Sequence, residues 1–569
     1  MKITINNQKI AVKEGQTILE VARQNKIDIP TLCYHSDLTI QASCRLCLVE
    51  IEGRPGLYTS CSTKVEDGLV VKTESENIAR ARKINLELLF AQHREECADC
   101  IYHGRCQALK ICRQLKGKIN GFTDRKKDKP TFKFGPALEF DSSKCIDCRL
   151  CVDMCHRQGI DFLELEYHDG LYEVVPSKDP KKDCIYCGQC LMHCPVGAFE
   201  GVGEYEAIEK PLQEEGKTVV FQFAPSIRTT IGEEFGMPYG SVVTGHLFAG
   251  IHALGAKAFD TSIAADVTTV EEAKELVERL EKKEPLPMFT SCCPGWVKFC
   301  EFYYPEFIPN LTTVRSPHMI MGGLIKTYWA QKEGLDPKNI IVVSIMPCLA
   351  KKYDITREEL WLDKGALKPV DYVLTTREFA QLLRKRKINL KEVKPEEPVA
   401  PFPLPTGAGV IYGASGGVME SALRTAYEKI TGKTLPQLEF KNVRGLQGVK
   451  KAVVDIAGRK LKVAVVNGTI NARKILAELK IDPHAYDYIE VMACLGGCIG
   501  GGGQPVPVNE EIRQQRAASL YQVDEKSVIR CAHNSPFVKN LYQEYFNNQD
   551  NIKKICHTTF KKKNKEVNR

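Results

Sequence analysis

A multidomain fold, α+β over the amino-terminal third and α/β beyond it, is predicted by three observations. The chain has 569 residues, more than one hydrophobic core normally organises. Its 24 cysteines recur at short, regular spacings before residue 200 and then scatter. From Lys217 onward, apolar runs of strand length alternate with longer amphipathic segments, which is the α/β pattern. At 43% hydrophobic and 26% charged the chain is ordinarily globular. The repeated two-residue cysteine spacings, and an opening stretch Met1–Asn7 without a secretory apolar segment, favour reduced metal thiolates over disulfides and predict a cytoplasmic protein. No apolar run approaches the ~18 residues that a membrane span needs. The net charge of +8 is modest, and the basic clusters Arg384–Lys387 and Lys561–Lys563 read as a helix end and a frayed terminus, so neither nucleic acid nor membrane is an expected partner. A basic surface does favour encounter with an acidic electron carrier.

Residues 1–75 form the first module. Lys2–Ile5 alternates as a short strand, Asn6 and Asn7 turn, a second strand follows around Ile10–Val12, and a helical stretch starts at Thr17. Cys33, Cys44, Cys47 and Cys61 then follow with the spacing C-x10-C-x2-C-x13-C. Two thiolates per iron complete a [2Fe-2S] site, and a C-x2-C pair on a tight loop brings two sulfurs to it. Zinc is the competing reading, although zinc usually takes two close pairs. The arrangement resembles a β-grasp ferredoxin domain.

Residues 76–135 hold a helical pattern around Ile84–Phe90 and then His93-x3-Cys97-x2-Cys100-x5-Cys106. A histidine beside cysteines can equally be a packing residue, and Cys112 falls outside the spacing and reads as packing. Lys118–Lys133, polar and basic, reads as a linker. Residues 136–208 carry Cys145-x2-Cys148-x2-Cys151-x3-Cys155 and Cys184-x2-Cys187-x2-Cys190-x3-Cys194-Pro195. In paired runs of this kind the fourth cysteine of each run ligates the other cluster. One [4Fe-4S] cluster is therefore expected on Cys145, Cys148, Cys151 and Cys194, and the other on Cys184, Cys187, Cys190 and Cys155, as in a bacterial 2[4Fe-4S] ferredoxin.

Residues 209–545 form the large α/β domain, with a basic tail at 546–569. Four strand-like runs end on candidate site residues: Thr218–Phe223 before Pro225 and Ser226, Pro287–Thr290 before Cys292 and Cys293, Ile340–Ile345 before Met346-Pro347-Cys348, and Tyr488–Met492 before Cys494. Open α/β sheets place their chemistry at the carboxyl ends of strands. The glycines Gly500–Gly503 are expected to let backbone approach a bulky cofactor. Glu272 and Glu275, three apart on a helical stretch, share a face, and taken alone would read as solvated acid. The proline-rich segment Pro395–Pro405 reads as a loop inside the domain.

Thr290-Ser291-Cys292-Cys293-Pro294-Gly295-Trp296, Met346 to Lys352 and Glu490 to Cys498 together resemble the three active-site signatures of [FeFe]-hydrogenases, and the resemblance spans the chain to about residue 545. It implies an H-cluster, a [4Fe-4S] cubane joined through one cysteine to a two-iron unit with carbonyl, cyanide and a bridging dithiolate. The implied ligands are Cys293, Cys348, Cys494 and Cys498, with Cys498 joining the two parts. Lys351, Pro225 and Ser226 correspond to polar contacts, and Met346 and Met492 to soft packing. Cys292 corresponds to the proton-delivering thiol, with an ordinary pKa of ~8.5 expected. Glu272, Thr312 and Glu275 correspond to its relay, and Arg279 lies near the exit. His93 with Cys97, Cys100 and Cys106 corresponds to a [4Fe-4S] site that these enzymes share with the large electron-input subunit of respiratory NADH dehydrogenase. The cofactor complement implied is one [2Fe-2S] cluster, three accessory [4Fe-4S] clusters and the H-cluster.

Some positions depart from the family pattern. Thr312 stands for the usual serine, Asp354 for a glutamate, His318 for a glutamine, and Cys531-Ala532-His533-Asn534 for Lys-Ser-His-Glu. Asp354 and the last of these put the support around the site in question. Cys300, Cys531 and Cys556 have no ligand role. The function expected is reversible interconversion of H2 with protons and electrons, the electrons exchanged with ferredoxin. The alternative is the hydrogen-activating subunit of an NAD(P)-coupled, electron-bifurcating complex, to which Met346–Lys352 and Ser316–Trp329 are more similar. The chain has no G-x-G-x-x-G, so a flavin or nicotinamide site would sit on a partner subunit. A non-catalytic H2 sensor or iron-sulfur assembly relative is the remote alternative, against which Cys292, Glu272 and Glu275 argue. Maturation proteins for the H-cluster are implied partners.

Overall fold

The computed structural model describes residues 1–569 apart from 95, 96, 98, 99, 101, 103–105, 124–127, 169, 170, 283, 399, 400, 437, 457 and 567–569. The first module is a five-stranded sheet with order β2-β1-β5-β3-β4, built from β1 (Lys2–Ile5), β2 (Gln8–Ala11), β3 (Leu48–Ile51), β4 (Tyr58–Thr59) and β5 (Val70–Lys72). β1 and β5 run parallel, and the helix Ile18–Gln24 packs Ile18, Leu19, Val21 and Ala22 onto the sheet. That helix starts where the sequence sets it: Thr17 and Glu20 form a capping box that satisfies two otherwise orphaned backbone donors. This is the β-grasp arrangement expected.

The helix Glu76–Phe90, capped by Ser75, leads to the second group of cysteines. Of the stretch read as linker, Thr131–Phe134 is instead a strand, β6, pairing with β7 (Leu138–Asp141), which in turn pairs with β10 (Phe199–Gly201). The alternation Thr131-Phe132-Lys133-Phe134 is the signal that the basic composition masked. β8 (Leu163–His168) and β9 (Leu171–Pro176) form a separate hairpin.

The large domain contains two four-stranded sheets. One has the order β12-β11-β14-β15 and is all parallel, from β11 (Thr218–Phe223), β12 (Lys257–Asp260), β14 (Ile340–Met346) and β15 (Tyr372–Thr375). The other has the order β13-β18-β17-β16, from β13 (Met288–Phe289), β16 (Val449–Ile456), β17 (Arg459–Asn467) and β18 (Tyr488–Met492), with only β16 antiparallel. The β11 and β14 runs are almost wholly buried, as parallel strands covered on both faces require. The 21-residue helix Ser262–Lys282 is held at its start by Asp260, which accepts from Ser262 N at 2.9 Å and is itself paired with buried Arg228 at 2.8 Å.

The carboxyl-terminal segment is not a frayed tail. The helix Gln549–Cys556 buries Ile552, Ile555 and Cys556, and Val314 bridges His557. Lys563 pairs with Glu359 at 3.0 Å, and Glu566 reaches both Lys298 at 3.3 Å and the Tyr186 hydroxyl. Hydrophobic residues at 552 and 555 beneath basic ones explain the difference, since the charges face outward while the apolar stripe docks. No helix among the described residues is long and apolar enough to cross a membrane.

Candidate active site and metal centres

None of the 24 cysteines is in a disulfide. In the first module they sort into pairs: Cys44 N donates to Cys33 Sγ at 3.3 Å, and the Cys47 and Cys61 sulfurs are 3.4 Å apart. The hydrogen bond from Cys44 pulls the Cys33 thiol down to about 6, and that from Cys61 pulls Cys47 down to about 7. In each pair the same bond raises the partner, Cys44 or Cys61, so it is the pairing in space that suits a two-iron cluster with two sulfurs per iron. His93, Cys97, Cys100 and Cys106 line one small cavity, and His93 Nδ1 contacts Lys144 O at 2.7 Å, which orients the ring. In the paired runs, Cys148 and Cys151 are raised by burial first and then by the charges of Cys145 and Cys194; Cys184 and Cys190 are raised by burial and by Cys187 and Cys155. The fold thus brings Cys194 near the first run and Cys155 near the second.

Cys293, Cys348, Cys494 and Cys498 converge in the same manner. Burial raises Cys494 and Cys498, and each also feels the charges of Cys293 and Cys348. Cys293 caps the helix Pro294–Tyr303, whose first position is the proline favoured there. Its sulfur accepts from Ala493 N at 3.4 Å. Among the described residues, the groups of three His, Cys, Asp or Glu side chains with ligand atoms within 4.8 Å of one another are His35/Asp37/His193 and Glu428/Cys531/His533. Sulfurs around one zinc at ~2.3 Å would lie ~3.8 Å apart. The cysteine sets are spread more widely than one ion would hold them, which fits clusters of several irons.

Around these sulfurs, Lys351 Nζ donates to Cys292 O at 3.0 Å and to Asp354 Oδ2 at 3.2 Å. The same Asp354 oxygen accepts from Ser316 Oγ at 2.9 Å and meets His318 Nε2 at 3.0 Å, so two of the departures from the family pattern face each other. Ser226 is fully buried in the turn Pro225–Thr229 that follows β11. Met492 packs with Ala265, Tyr412 and Val418 against Cys292 and Cys293, while Met346 closes β14 at 2% exposure.

The relay residues lie in two pieces. Arg279 donates to Glu275 Oε1 from Nη2 at 2.6 Å and Nε at 3.0 Å, and Thr312 Oγ1 donates to Glu275 Oε2 at 2.8 Å. Arg279 is 5% exposed and also holds Leu311 O, so it is a buried clamp on Glu275. Glu272 is fully buried, with Tyr488 Oη 3.5 Å from its Oε2. No direct hydrogen bond joins Glu272 to Thr312 or to Cys292 among the described residues.

The model of the iron-only hydrogenase large subunit, C-terminal domain, matches residues 217–502. A 2Fe-2S iron-sulfur cluster binding domain matches 1–76, a 4Fe-4S dicluster domain 144–198, and the iron hydrogenase small subunit 510–563. The chain is 39% identical over 563 residues to the NADP-reducing hydrogenase subunit HndD of Solidesulfovibrio fructosivorans, covering 96% of each. It is 37% identical over 575 residues to iron hydrogenase 1 of Clostridium pasteurianum, covering 98% of this chain and 100% of that one. The chain belongs to the iron-only hydrogenases. The apo [FeFe]-hydrogenase HydA1 of Chlamydomonas reinhardtii has a similar structure, at 36% identity and a TM-score of 0.57, over 63% of this chain and 99% of that one. This hydrogenase is an oxidoreductase acting on H2, with [2Fe-2S] and [4Fe-4S] domains joined to an H-cluster domain.

One expectation about the hydrogenase site is corrected, and the glycine run is given neighbours. The Cys292 thiol does not have an ordinary pKa: burial first, then the charges of Glu272 and Cys293, push it well above the usual range, and Lys351 offsets only part of this. Gly500–Gly503 make room for protein backbone: a Cβ would lie 2.2 Å from Leu495 O at Gly500, 2.2 Å from Pro347 O at Gly501 and 2.4 Å from Cys187 O at Gly502. Gly502 thereby seats the Cys498 loop on the Cys187–Gly188 loop, and Cys494 Sγ reaches Cys187 O at 3.8 Å.

Sequence reasoning missed Gln504, whose Nε2 donates to Ser226 Oγ at 3.1 Å and Cys498 O at 3.0 Å. Its place directly after the glycine run was the available signal. It also missed Tyr412 and Tyr488, buried aromatics near Glu272 that lie outside any of the three motifs.

Proposed function

We propose that this chain interconverts H2 with protons and electrons at an H-cluster held by Cys293, Cys348, Cys494 and Cys498. The accessory sites would be a [2Fe-2S] cluster on Cys33, Cys44, Cys47 and Cys61, a [4Fe-4S] cluster on His93, Cys97, Cys100 and Cys106, and two crossed [4Fe-4S] clusters on the paired runs. The observation that carries the reading is the convergence of Cys293, Cys348, Cys494 and Cys498 beside a further thiol, Cys292, whose carbonyl is held by Lys351. The H-cluster supplies the open iron at which H2 is cleaved or formed.

The chain's own residues handle the proton. Glu272 is raised to about 8, by burial first and then by Glu275 and Glu490, so at neutral pH its carboxyl holds a proton close to Cys292. Arg279 fixes Glu275 through Oε1 and leaves Oε2 to the Thr312 hydroxyl. Lys351, Ser226 and Pro225 supply polar contacts, and Met346 and Met492 exclude water. Reconstituted protein tested for H2 evolution with a reduced low-potential dye checks the reading; assembled clusters without turnover would overturn it.

Electrons are proposed to pass through the accessory clusters to ferredoxin. A second reading, the hydrogen-activating subunit of an NADP-coupled complex, is favoured by the end-to-end similarity to an NADP-reducing hydrogenase subunit. Purifying the native protein and identifying flavoprotein subunits that accompany it separates the two.

A further inference from the structure

Glu275 has a second hydroxyl on the oxygen that faces Thr312. Thr313 Oγ1 donates to Glu275 Oε2 at 3.0 Å, and Thr313 N reaches the same atom at 3.0 Å. Thr313 Oγ1 is in turn 2.8 Å from His557 Nδ1, and His557 Nε2 is 3.0 Å from Glu271 Oε2. The ring is fixed from its own backbone: Arg315 N donates to Cys556 O at 2.7 Å, Arg315 Nε to His557 O at 2.8 Å, and Thr558 N to Thr313 O at 2.8 Å. The His557 side chain is 27% exposed, whereas Glu271 is buried. His557 lies in the stretch matched by the small-subunit model, outside the motifs that mark the catalytic centre.

We propose that His557 is the outermost group of the proton relay, taking protons from solvent and passing them through the Thr313 hydroxyl to Glu275. This deepens, and rests on, the relay reading of Glu275 and Glu272. The donor directions close into a single chain. A hydroxyl has one hydrogen, so Thr313, while donating to Glu275, must accept from His557 Nδ1–H, and the charged ring then directs its Nε2–H at Glu271. In the transfer, the Nδ1–H bond breaks as an O–H bond forms on Thr313, and the original Thr313 O–H bond breaks as one forms on Glu275 Oε2. No electrons move. The ring, left neutral with its hydrogen on Nε2, regains a proton at Nδ1 from water when it turns out of the Thr313 contact, a movement for which its 27% exposed side chain leaves room.

Glu271 orients the ring without consuming the proton. Burial acts to raise its carboxyl, but hydrogen bonds from His557 and Tyr542 and the charge of Lys274 outweigh that, and the net shift is downward. The charged and titratable groups facing the ring are Glu271, Lys274 and Glu275 from the helix Ser262–Lys282, Lys429 acting on Glu271 from the helix Gly417–Thr431, Tyr542 from the helix Pro536–Glu544, and Arg315 at the His557 carbonyl. An imidazole held between a carboxylate on one nitrogen and a hydroxyl on the other is placed to hand a proton along that line.

The test uses the full holoenzyme, with H2 evolution from a reduced dye measured across pH for His557→Ala, Thr313→Val, Thr313→Ser and Glu275→Gln, and iron content measured in each. His557→Ala should slow evolution on the order of tenfold, less than a group acting directly at the reacting atom, and should change the shape of the pH profile. Added imidazole should recover part of the rate in His557→Ala and none in Thr313→Val, while Thr313→Ser, which keeps the hydroxyl, should restore what Thr313→Val loses. Unchanged rate and profile in both His557→Ala and Thr313→Val, with Glu275→Gln impaired, would overturn the role of His557 alone. Full activity in Glu275→Gln would overturn the relay itself. If His557→Ala lost its iron, the Thr313 pair would decide the matter, since the hydroxyl can be removed without touching the docked carboxyl-terminal segment.

Discussion

His318 and Asp354 are expected to form one compensating pair, which a double-mutant cycle to the residues the family usually carries, His318→Gln and Asp354→Glu, measures directly. Asp354 Oδ2 gathers Ser316 Oγ, His318 Nε2 and Lys351 Nζ within 2.9, 3.0 and 3.2 Å. Its carboxyl is held well below the ordinary range: burial opposes ionisation, but the Lys351 charge and the His318 hydrogen bond outweigh it. His318 is 1% exposed and Asp354 5%, so the site has no slack. Asp354→Glu alone adds a methylene to a filled space, which costs about 1–3 kcal/mol. His318→Gln alone gives up a hydrogen bond to a charged group, worth about 1.5–3 kcal/mol before the amide recovers part of it. Together the longer acid and the smaller partner should fit, so the double variant should regain about 1–2 kcal/mol of the summed loss, as contacting residues do. Thermal unfolding of the four proteins reads this as a recovery of a few degrees, at about 2–4 °C per kcal/mol or less in a domain this large. H2 evolution should recover in parallel, because each single variant displaces the carboxylate that holds Lys351. Additivity within about 0.5 kcal/mol would refute the pairing.

Cys292→Ala should leave iron content intact while lowering H2 turnover on the order of 10²-fold or more, because it removes a proton donor and no ligand; loss of the H-cluster itself would sink that role. Glu272 has a folded value raised above the ordinary 4.5 to about 8, so its protonated form persists through neutral pH and is lost as pH rises through about 8. H2 evolution measured against pH should fall over that window, and Glu272→Gln should remove the limb along with most of the rate. Arg357→Met should cost about 3–5 kcal/mol by calorimetry, since it leaves fully buried Glu301 unpaired at a site where the two now meet at 2.7 Å. Gly502→Ala would set a Cβ 2.4 Å from Cys187 O and 2.6 Å from Gly188 Cα, separating two cluster loops. Dye-linked H2 evolution should drop several-fold while isotope exchange between H2 and D2O, which needs no external electrons, persists; an equal loss of both would count against an electron-transfer role for that contact.

Local patterns carried much of this architecture in the sequence. Thr218–Phe223 and Tyr488–Met492 are strands at the bounds expected, because strand-length apolar runs stopped by small or polar residues leave little choice. Cysteine spacing carried the sulfur sets, because cluster geometry constrains chain spacing directly. What stayed hidden was set by tertiary contact. The protein backbone that Gly500, Gly501 and Gly502 admit, that of Leu495, Pro347 and Cys187, was hidden because sequence alone cannot say which strands and loops will approach. The Cys292 thiol looked ordinary because burial and the Glu272 charge come from a helix and a strand end that only folding joins. The basic tail looked solvated because Lys561–Lys563 dominate its composition, while Ile552 and Ile555 anchor it. Glu271 and Glu272 looked like a solvated face, yet both are buried, since the helix that carries them is covered by the carboxyl-terminal segment on one side and by the site on the other.

Adjacent residues can serve electrons and protons separately here because of where β13 ends. Past Phe289 the chain leaves the sheet and turns into the helix Pro294–Tyr303, with Cys293 as its cap. The Cys293 sulfur meets Ala493 N at the end of β18, on the side where Cys494 touches the Cys187 loop, the proposed seat of an accessory cluster. Cys292, one position earlier, packs with Met492, Tyr412 and Ala265 and feels the charge of Glu272 on the helix Ser262–Lys282. That helix carries Glu271, Glu272, Glu275 and Arg279, so every acidic group of the proposed proton path is fixed to one rigid element. The electron side is fixed by loops interlocked through glycine. A perturbation of either side can therefore be made without moving the other, and the hydrogen-evolution and isotope-exchange rates, which depend on electrons and protons differently, are the pair of observables that can tell the two paths apart.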